Sequence, residues 1–310
     1  LLDVTLSPSS GYATQYGNYG EMTNIGVEVD WGYDIIDEAD FGLSTAINWS
    51  RNDNEVTDLY GTETINLSPG ASVSSRAIVG YPLGTLYGTG SKTNPDGSLD
   101  LNSNGFPQIT SSPIVLGDPN PDWRAGVSMN MRYKKWRLNA VIEHSHGGEF
   151  SPRTLWVLNR FGTTAETANR LTLDQPLVNY KGSTIPAGTT VRGNIKDFGA
   201  GPVLLDENWY RTGIGGGFGD NQAYNFSIAD ATWTKLRDLS LSYVWDDSRI
   251  KSLGLSDVIL TFTGRDLINI NEVDGIDPEI NTKGVSVAQG VEYFTNPQTK
   301  GFLFSLTINY

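Results

Sequence analysis

The chain has 310 residues, with 22 Lys plus Arg against 35 Asp plus Glu and a net charge of -13. Phosphate contacts need clustered cations, so an acidic chain of this kind is a poor nucleic-acid binder. With no cysteine it can hold no disulfide, thiolate metal site or cysteine nucleophile. It also has no apolar run of about 18 residues to serve as a transmembrane helix, which leaves a closed β-barrel as its way across a membrane.

Apolar residues make up 38% of the chain and alternate with polar ones instead of clustering, among 35 glycines, 14 tyrosines and 8 tryptophans. Short aromatic strands joined by glycine-rich turns make an all-β protein. Leu1 is not a Met start, and neither a basic segment nor an apolar signal-like segment follows it. The chain is therefore expected to begin after a cleavage or to be a piece of something longer.

The first predicted strand carries Ile25, Val27, Val29, Trp31 and Tyr33 on one face and Glu28, Asp30 and Asp34 on the other. Ile36–Asp40 reads as a polar turn. Phe41, Leu43, Thr45, Ile47 and Trp49 then form the apolar face of a second strand, with Gly42, Ser44 and Asn48 opposite. The two make an antiparallel hairpin. A second hairpin sets Trp123, Ala125, Val127, Met129, Met131 and Tyr133 against Arg124, Ser128, Asn130 and Arg132. It turns at Lys134–Lys135 and returns through Trp136, Leu138, Ala140 and Ile142. The basic run Arg132–Tyr133–Lys134–Lys135 is thus a hairpin turn and not a nucleic-acid patch. Strands of about ten residues with aromatic ends suit a tilted bilayer crossing between two interfacial girdles.

Further strands are predicted at Asn225–Trp233, Lys235–Trp245, Asp257–Arg265 and Gly301–Tyr310. In the last, Phe302, Phe304, Leu306, Ile308 and Tyr310 share a face, and Leu303, Ser305, Thr307 and Asn309 share the other. Residues 51–122, 147–222 and 267–300 read as long loops rich in Gly, Ser, Asn and Pro, with a short helix at Thr163–Arg170. Tight turns at one end and long loops at the other match a bacterial outer-membrane barrel.

Seven segments, in order, resemble the C-terminal third of SusC/RagA-type TonB-dependent transporters. They are Asn18–Glu28, Val79–Gly84 with Leu86–Gly88, Leu116–Trp123 (Leu-Gly-Asp-Pro-Asn-Pro-Asp-Trp) and Trp233–Tyr243 with its Lys-Leu-Arg core. Gly264–Leu267, which resembles the family's Gly-Arg-Asn-Leu turn with Asp266 in place of Asn, then Gly275–Glu279 and Thr295–Lys300 complete the series. Each is weak alone; their order over nearly the whole chain carries the likeness.

The resemblance implies that residues 1–310 are the C-terminal portion of one antiparallel transmembrane β-barrel of about 22 strands with long extracellular loops. About eight or nine of those strands are expected here. The family's plug, TonB box and signal peptide are not expected in this chain. The implied function is TonB-dependent import of oligosaccharides or peptides across the outer membrane of a Gram-negative bacterium, without enzymatic chemistry. The implied partners are outer-membrane lipid, a SusD-like surface lipoprotein, and the TonB complex reached through the missing N-terminal part. Phe302, Phe304, Leu306, Ile308 and Tyr310 form the implied barrel-assembly signal. Two other readings stay open. In one, the chain is a complete small outer-membrane barrel of structural or adhesive role, whose last strand must pair with its first near residues 20–34. In the other it is a secreted β-sandwich hydrolase, whose apolar faces must pack into a core.

No cofactor is expected, and no substrate-binding residues are assigned from sequence. Asn94, Asp96 and Asp100 surround Gly97 with the hard oxygen donors that a Ca²⁺ loop needs, but Lys92 and Ser103 stand where further acids belong. A solvated Asx-Gly loop is the simpler reading. His144 and His146 point the same way from one strand end with no third ligand, and Ser145 between them faces away, so no local triad forms. Asp246–Asp247 and the pair Asp277 and Glu279 read as acidic turns, although paired carboxylates also serve glycosidases. Gly213–Gly219 follows no parallel strand and is read as a loop, not a phosphate cradle. Trp156, Tyr180, Trp209, Tyr210 and Tyr224 are placed in loops, either to stack on sugars or to pack the loops together.

Overall fold

The structure, a computed structural model, describes residues 2–68, 72–215, 222–282, 284 and 289–310. Its backbone is one seven-stranded antiparallel wall: β1 (Glu21–Asp37), β2 (Phe41–Asp58), β3 (Trp123–Tyr133), β4 (Trp136–His146), β5 (Trp233–Trp245), β6 (Asp257–Asn271) and β7 (Gly301–Asn309). Each strand pairs with its neighbours in sequence, so the wall is a simple meander. Seven wall strands stand where eight or nine were expected. Asn225–Trp233 is not one of them: it holds a 3₁₀ turn, Tyr224–Ser227, and a two-residue strand, Ala229–Asp230, before β5 begins at Trp233.

Register carries the predicted faces around the wall. Val29 pairs with Trp49, Trp31 with Ile47 and Tyr33 with Thr45. Tyr133 pairs with Trp136, Met131 with Leu138 and Met129 with Ala140. Leu241 faces Leu138 on one side and Phe262 on the other, and Phe262 in turn meets Phe304. The outward face is apolar and open to its surroundings: Trp31, Phe262, Phe302 and Phe304 are all at least half exposed. The opposite face bears Asp30, Ser44, Asn130, Asn139, Ser242 and Thr261. A core made by folding one face upon the other, as a β-sandwich requires, is not what this wall builds.

Aromatic residues cluster at both ends of the outward face. Trp31, Tyr33, Phe41, Tyr133, Trp136, Tyr243 and Trp245 lie toward the short turns. Trp49 and Trp123 lie toward the long loops, with His144 tilted against Trp123 and His146 stacked on it at ring separations of 4.9 and 5.2 Å. The histidine pair thus sits at the strand end as expected, and buried Ser145 faces the other way toward Trp233.

At the short-turn end the first hairpin is tighter than predicted, because β1 runs through Asp37 and only Glu38–Asp40 turn. Arg132 holds that turn by donating to the carbonyls of Ala39 and Glu38 at 2.7 and 2.8 Å. The Lys134–Lys135 turn is as predicted, with Lys134 at φ 52, the positive φ that a two-residue hairpin demands. Gly264–Leu267 is no turn. Leu236 pairs with Ile268 and Asp238 with Arg265, so Arg237 faces two residues, and Asp266 adopts φ 49 in a bulge within β6. Asp and Asn tolerate this left-handed conformation better than most residues.

The sheet is open. Among the described residues, β1 pairs with β2 alone and β7 with β6 alone. The pairing of last strand to first that a complete small barrel needs is absent from it.

The long connections are structured and form a second layer. Residues 64–117 contain a four-stranded sheet (64–68, 74–78, 85–88, 114–117). Residues 147–232 contain helix α1 (Arg153–Phe161), which the sequence reading missed, and α2 (Ala165–Ala168), the only helical part of predicted Thr163–Arg170. Helix α3 (Glu207–Thr212) follows. Phe106, Phe198, Trp209, Tyr210 and Ile214 form the main core of this layer. Each such side chain contributes roughly 1.5–3 kcal/mol by leaving water.

Candidate functional site

Lys235 is a cation in the inward face of β5, and a buried lysine needs an opposite charge. Its side chain is wholly buried. Nζ donates to Asp277 Oδ1 and Oδ2 at 2.9 and 2.7 Å, to Glu279 Oε2 at 2.6 Å and to Gln298 Oε1 at 2.9 Å. Two positions on, Arg237 is raised toward the same loop by the bulge opposite Asp266. It donates from Nε to Glu143 Oε2 at 2.6 Å, from Nη1 to Asp266 Oδ1 at 3.3 Å, and from Nη2 to Glu279 Oε1. Both cations lie 4.9 Å from the centre of the Trp233 ring, within cation–π range.

Three of the motifs singled out in the sequence converge here: Lys-Leu-Arg on the wall, and Asp277 with Glu279, and Gln298, on the 272–300 connection. They form a clasp that fastens this loop to the inner wall. Asp277 and Glu279 therefore do more than the predicted acidic turn. They are also no hydrolytic pair, since both carboxylates are turned onto Lys235 instead of facing each other across a cleft.

The far end of the same loop is fastened by one carboxylate. Glu292 is 2% exposed. It accepts from Thr154 N and Oγ1 at 3.2 and 2.7 Å and from Thr295 N and Oγ1 at 3.2 and 3.0 Å. Helix α1 has no side-chain cap of its own at Pro152. Glu292 thus supplies both an acceptor for one first-turn N–H group, that of Thr154, and a negative charge at its N-terminus.

Other motifs make similar joints. Asn54 Oδ1 on β2 accepts from Leu83 N at 2.7 Å, and Asn120 Nδ2 donates to Leu83 O at 3.2 Å and to Asp118 Oδ1 at 2.7 Å. The Val79–Gly84 and Leu116–Trp123 segments are thereby tied to each other and to the wall. Burial raises the Asp118 carboxyl above its usual range in spite of the hydrogen bonds from Asn120.

The clasp has a pH sign. Burial works to raise the Glu279 carboxyl, but hydrogen bonds from Arg237 and Lys235 outweigh it and hold the pKa below the ordinary 4.5. A group depressed in the folded state stabilises fully above its unfolded pKa and loses that contribution as pH falls through the folded value. Cleavage of the 272–300 loop by an acid-active protease is therefore expected to be constant above pH 4.5 and to accelerate below it. In a Glu279→Gln variant the rise should be much reduced.

Asn94, Asp96 and Asp100 lie in one hairpin, but their side chains are taken up by hydrogen bonds within it. Asp96 Oδ1 accepts from Ser98 N and Oγ at 2.9 and 2.7 Å, Asn94 donates to Ser98 Oγ, and Asp100 accepts from Gln108 Nε2 at 3.0 Å. Among the described residues no group of three or more His, Cys, Asp or Glu side chains is placed to hold a metal ion. Asp247 caps helix α4 (Ser248–Ser252), and Asp246 pairs with Lys135 at 2.6 Å, so these two part company as well. Phe302, Phe304, Leu306 and Ile308 line the outward face of β7, with Tyr310 just past its end. Of the Gly213–Gly219 run, Gly216 to Gly219 lie outside the described residues.

The loop aromatics divide. Trp209, Tyr210 and Tyr224 are buried, and Tyr180 packs edge-on to Phe106 at 5.3 Å, so these four hold the loop layer together. Trp156 instead borders a cavity of about 500 Å³ between α1, residues 226–229 and the start of the clasped loop at 272–276. On the inner wall near the short turns, Asp34, Asn130, Arg132, Arg137 and Asn139 border a second hollow of about 250 Å³.

No family model matches the chain. Two curated proteins of Formosa agariphila match its whole length: TonB-dependent receptor P3 at 25% identity and TonB-dependent receptor P26 at 23%. The chain spans 31% of the length of each. Among solved structures, the RagAB peptide transporter aligns with a TM-score of 0.66 at 18% identity, over 99% of this chain and 32% of that one. The RagAB peptide importer in its open-open state aligns at 0.62 and 18% identity, over 100% and 31%. The structural likeness establishes the fold, an antiparallel barrel wall.

Proposed function

We propose that this chain is barrel wall of a TonB-dependent receptor of the SusC/RagA type, part of an importer of oligosaccharides or peptides in a Gram-negative outer membrane. The observation that carries the reading is the open wall itself. Its outward face is apolar between two aromatic belts, its inward face is polar, and its long loops are packed at one end and clasped to the inside. Lipid does not satisfy open strand edges, so β1 and β7 are completed by the rest of a larger barrel. This chain supplies wall and extracellular loops, and β7 with Tyr310 supplies the assembly signal. A plug domain elsewhere in the protein closes the pore and is drawn aside by TonB. A SusD-like lipoprotein sits on the loop layer. The work done is binding and passage, not bond chemistry.

The test is uptake of fluorescent oligopeptides and oligosaccharides by cells expressing the full-length protein, with and without TonB. Accumulation of one class that stops when TonB is deleted or the proton gradient is collapsed is the expected result. Entry unaffected by either treatment would sink the import reading and favour a passive or structural barrel.

A further inference from the structure

Phe294 carries two costs at once. Its backbone is left-handed, at φ 48, a region that a bulky side chain enters only under constraint, and its ring is 58% exposed. Asparagine or glycine would relieve the first cost and remove the second. The constraint comes from the Glu292 joint. Phe294 N donates to Thr154 Oγ1 at 2.6 Å, and that hydroxyl donates in turn to Glu292 Oε1 at 2.7 Å. Strain of this kind is stored at ligand clamps and other functional sites. The ring packs edge-on to Tyr293 at 4.8 Å. Four residues on, Gln298 is bonded to Lys235 on the inner face of β5. Four residues reach at most about 14 Å, so Phe294 is tethered beside the barrel interior. The groups around the ring are neutral or already engaged. Glu292 accepts four hydrogen bonds. Arg153 lies over Tyr293, 4.6 Å from its centre, and donates to Ser72 Oγ at 3.2 Å. The Tyr293 hydroxyl and the exposed Asn296 amide flank Phe294 in the chain and make no hydrogen bond among the described residues.

We propose that Phe294 is a stacking platform for a neutral sugar unit of an oligosaccharide, an inference that rests on the import reading above. A pyranose offers a flat C–H face to the ring and hydroxyls at its rim to Tyr293 and Asn296. That is the mix of aromatic surface and a few polar groups by which ligand sites fix orientation. The neutral setting favours a sugar over a charged peptide side chain. Thr154 is the positioning residue, since its hydroxyl holds the backbone that projects the ring.

The experiment measures binding to the purified full-length protein. Its probes are neutral hexasaccharides of glucose, of mannose and of xylose, and an uncharged hexapeptide rich in leucine and phenylalanine. At least one hexasaccharide is expected to bind. Phe294→Asn should weaken it about tenfold and leave the unfolding midpoint at or above the native value, since asparagine relieves the backbone. Phe294→Trp should keep the affinity. Unaltered affinity in Phe294→Asn overturns the proposal, as does failure of every hexasaccharide to bind. A lower unfolding midpoint in Phe294→Asn also overturns it, because the ring then packs against the rest of the barrel. Loss of peptide binding alone in that variant overturns the assignment to sugars. TonB-dependent uptake that is unchanged in Phe294→Asn would remove this inference and keep the import reading. Ring-dependent sugar binding without TonB-dependent uptake would do the reverse.

Discussion

Replacing Lys235 with Met is expected to cost about 3–5 kcal/mol, since it strips the counter-charge from the Asp277 carboxylate, which stays buried. Asp277 is more enclosed than Glu279, at 7% exposure. The full-length barrel carrying Lys235→Met should lose its heat-resistant folded form on gels at lower temperature or urea concentration. The 272–300 loop should become sensitive to protease at neutral pH, where the native loop resists. A second variant separates charge from packing. Lys235→Met with Asp277→Asn removes one acid together with the base and should recover part of the loss. If Lys235→Met unfolds at the same point as the native protein, the clasp contributes nothing and the convergence of the three motifs has another cause.

Adjacent residues of β5 provide the second large effect. Leu239 faces outward between the two aromatic belts, and Ser240 faces inward. A cation at the middle of a lipid-facing strand costs about 2–4 kcal/mol. Leu239→Arg should therefore lower folding yield and the unfolding midpoint sharply, whereas Ser240→Arg, one residue on, should leave both close to native. A soluble protein with a packed core would reverse the order, because Ser240 is the more buried of the two. Equal tolerance of both substitutions would count against a lipid-facing wall.

The parts of the fold legible in the sequence are those where one face meets lipid. Within that band the alternation of Trp31 with Asp30, or of Met129 with Asn130, is forced by the two surroundings. Beyond the outer belt both faces meet water, and the pattern fades while the strand continues. That is why Arg51–Asp58 and Leu267–Asn271 read as loop although they extend β2 and β6. Asp266 misled for a related reason, since its neighbours Gly264 and Leu267 make a plausible turn and only pairing to β5 reveals a bulge. Helix α1 had no sequence-local start signal, because its capping carboxylate, Glu292, lies far along the chain. The clasp was hidden in the same way. Lys235 and Arg237, inside a strand of inward polar residues, signalled that partners must exist but did not name them.

The β3–β4 hairpin also sets a ruler. From Trp123 to Tyr133 a strand rises about 34 Å along its own axis, and at a tilt of about 40° this becomes about 26 Å along the membrane normal. The belts at the two ends of the hairpin are spaced for a thin hydrocarbon layer, close to the apolar band of about 25 Å seen in outer-membrane barrels. In a thicker bilayer the wall can match the lipid only by thinning it locally, at a cost that grows with every ångström of mismatch. Acyl-chain length thus becomes a selector of where this wall settles, independent of any sequence signal that delivers it there.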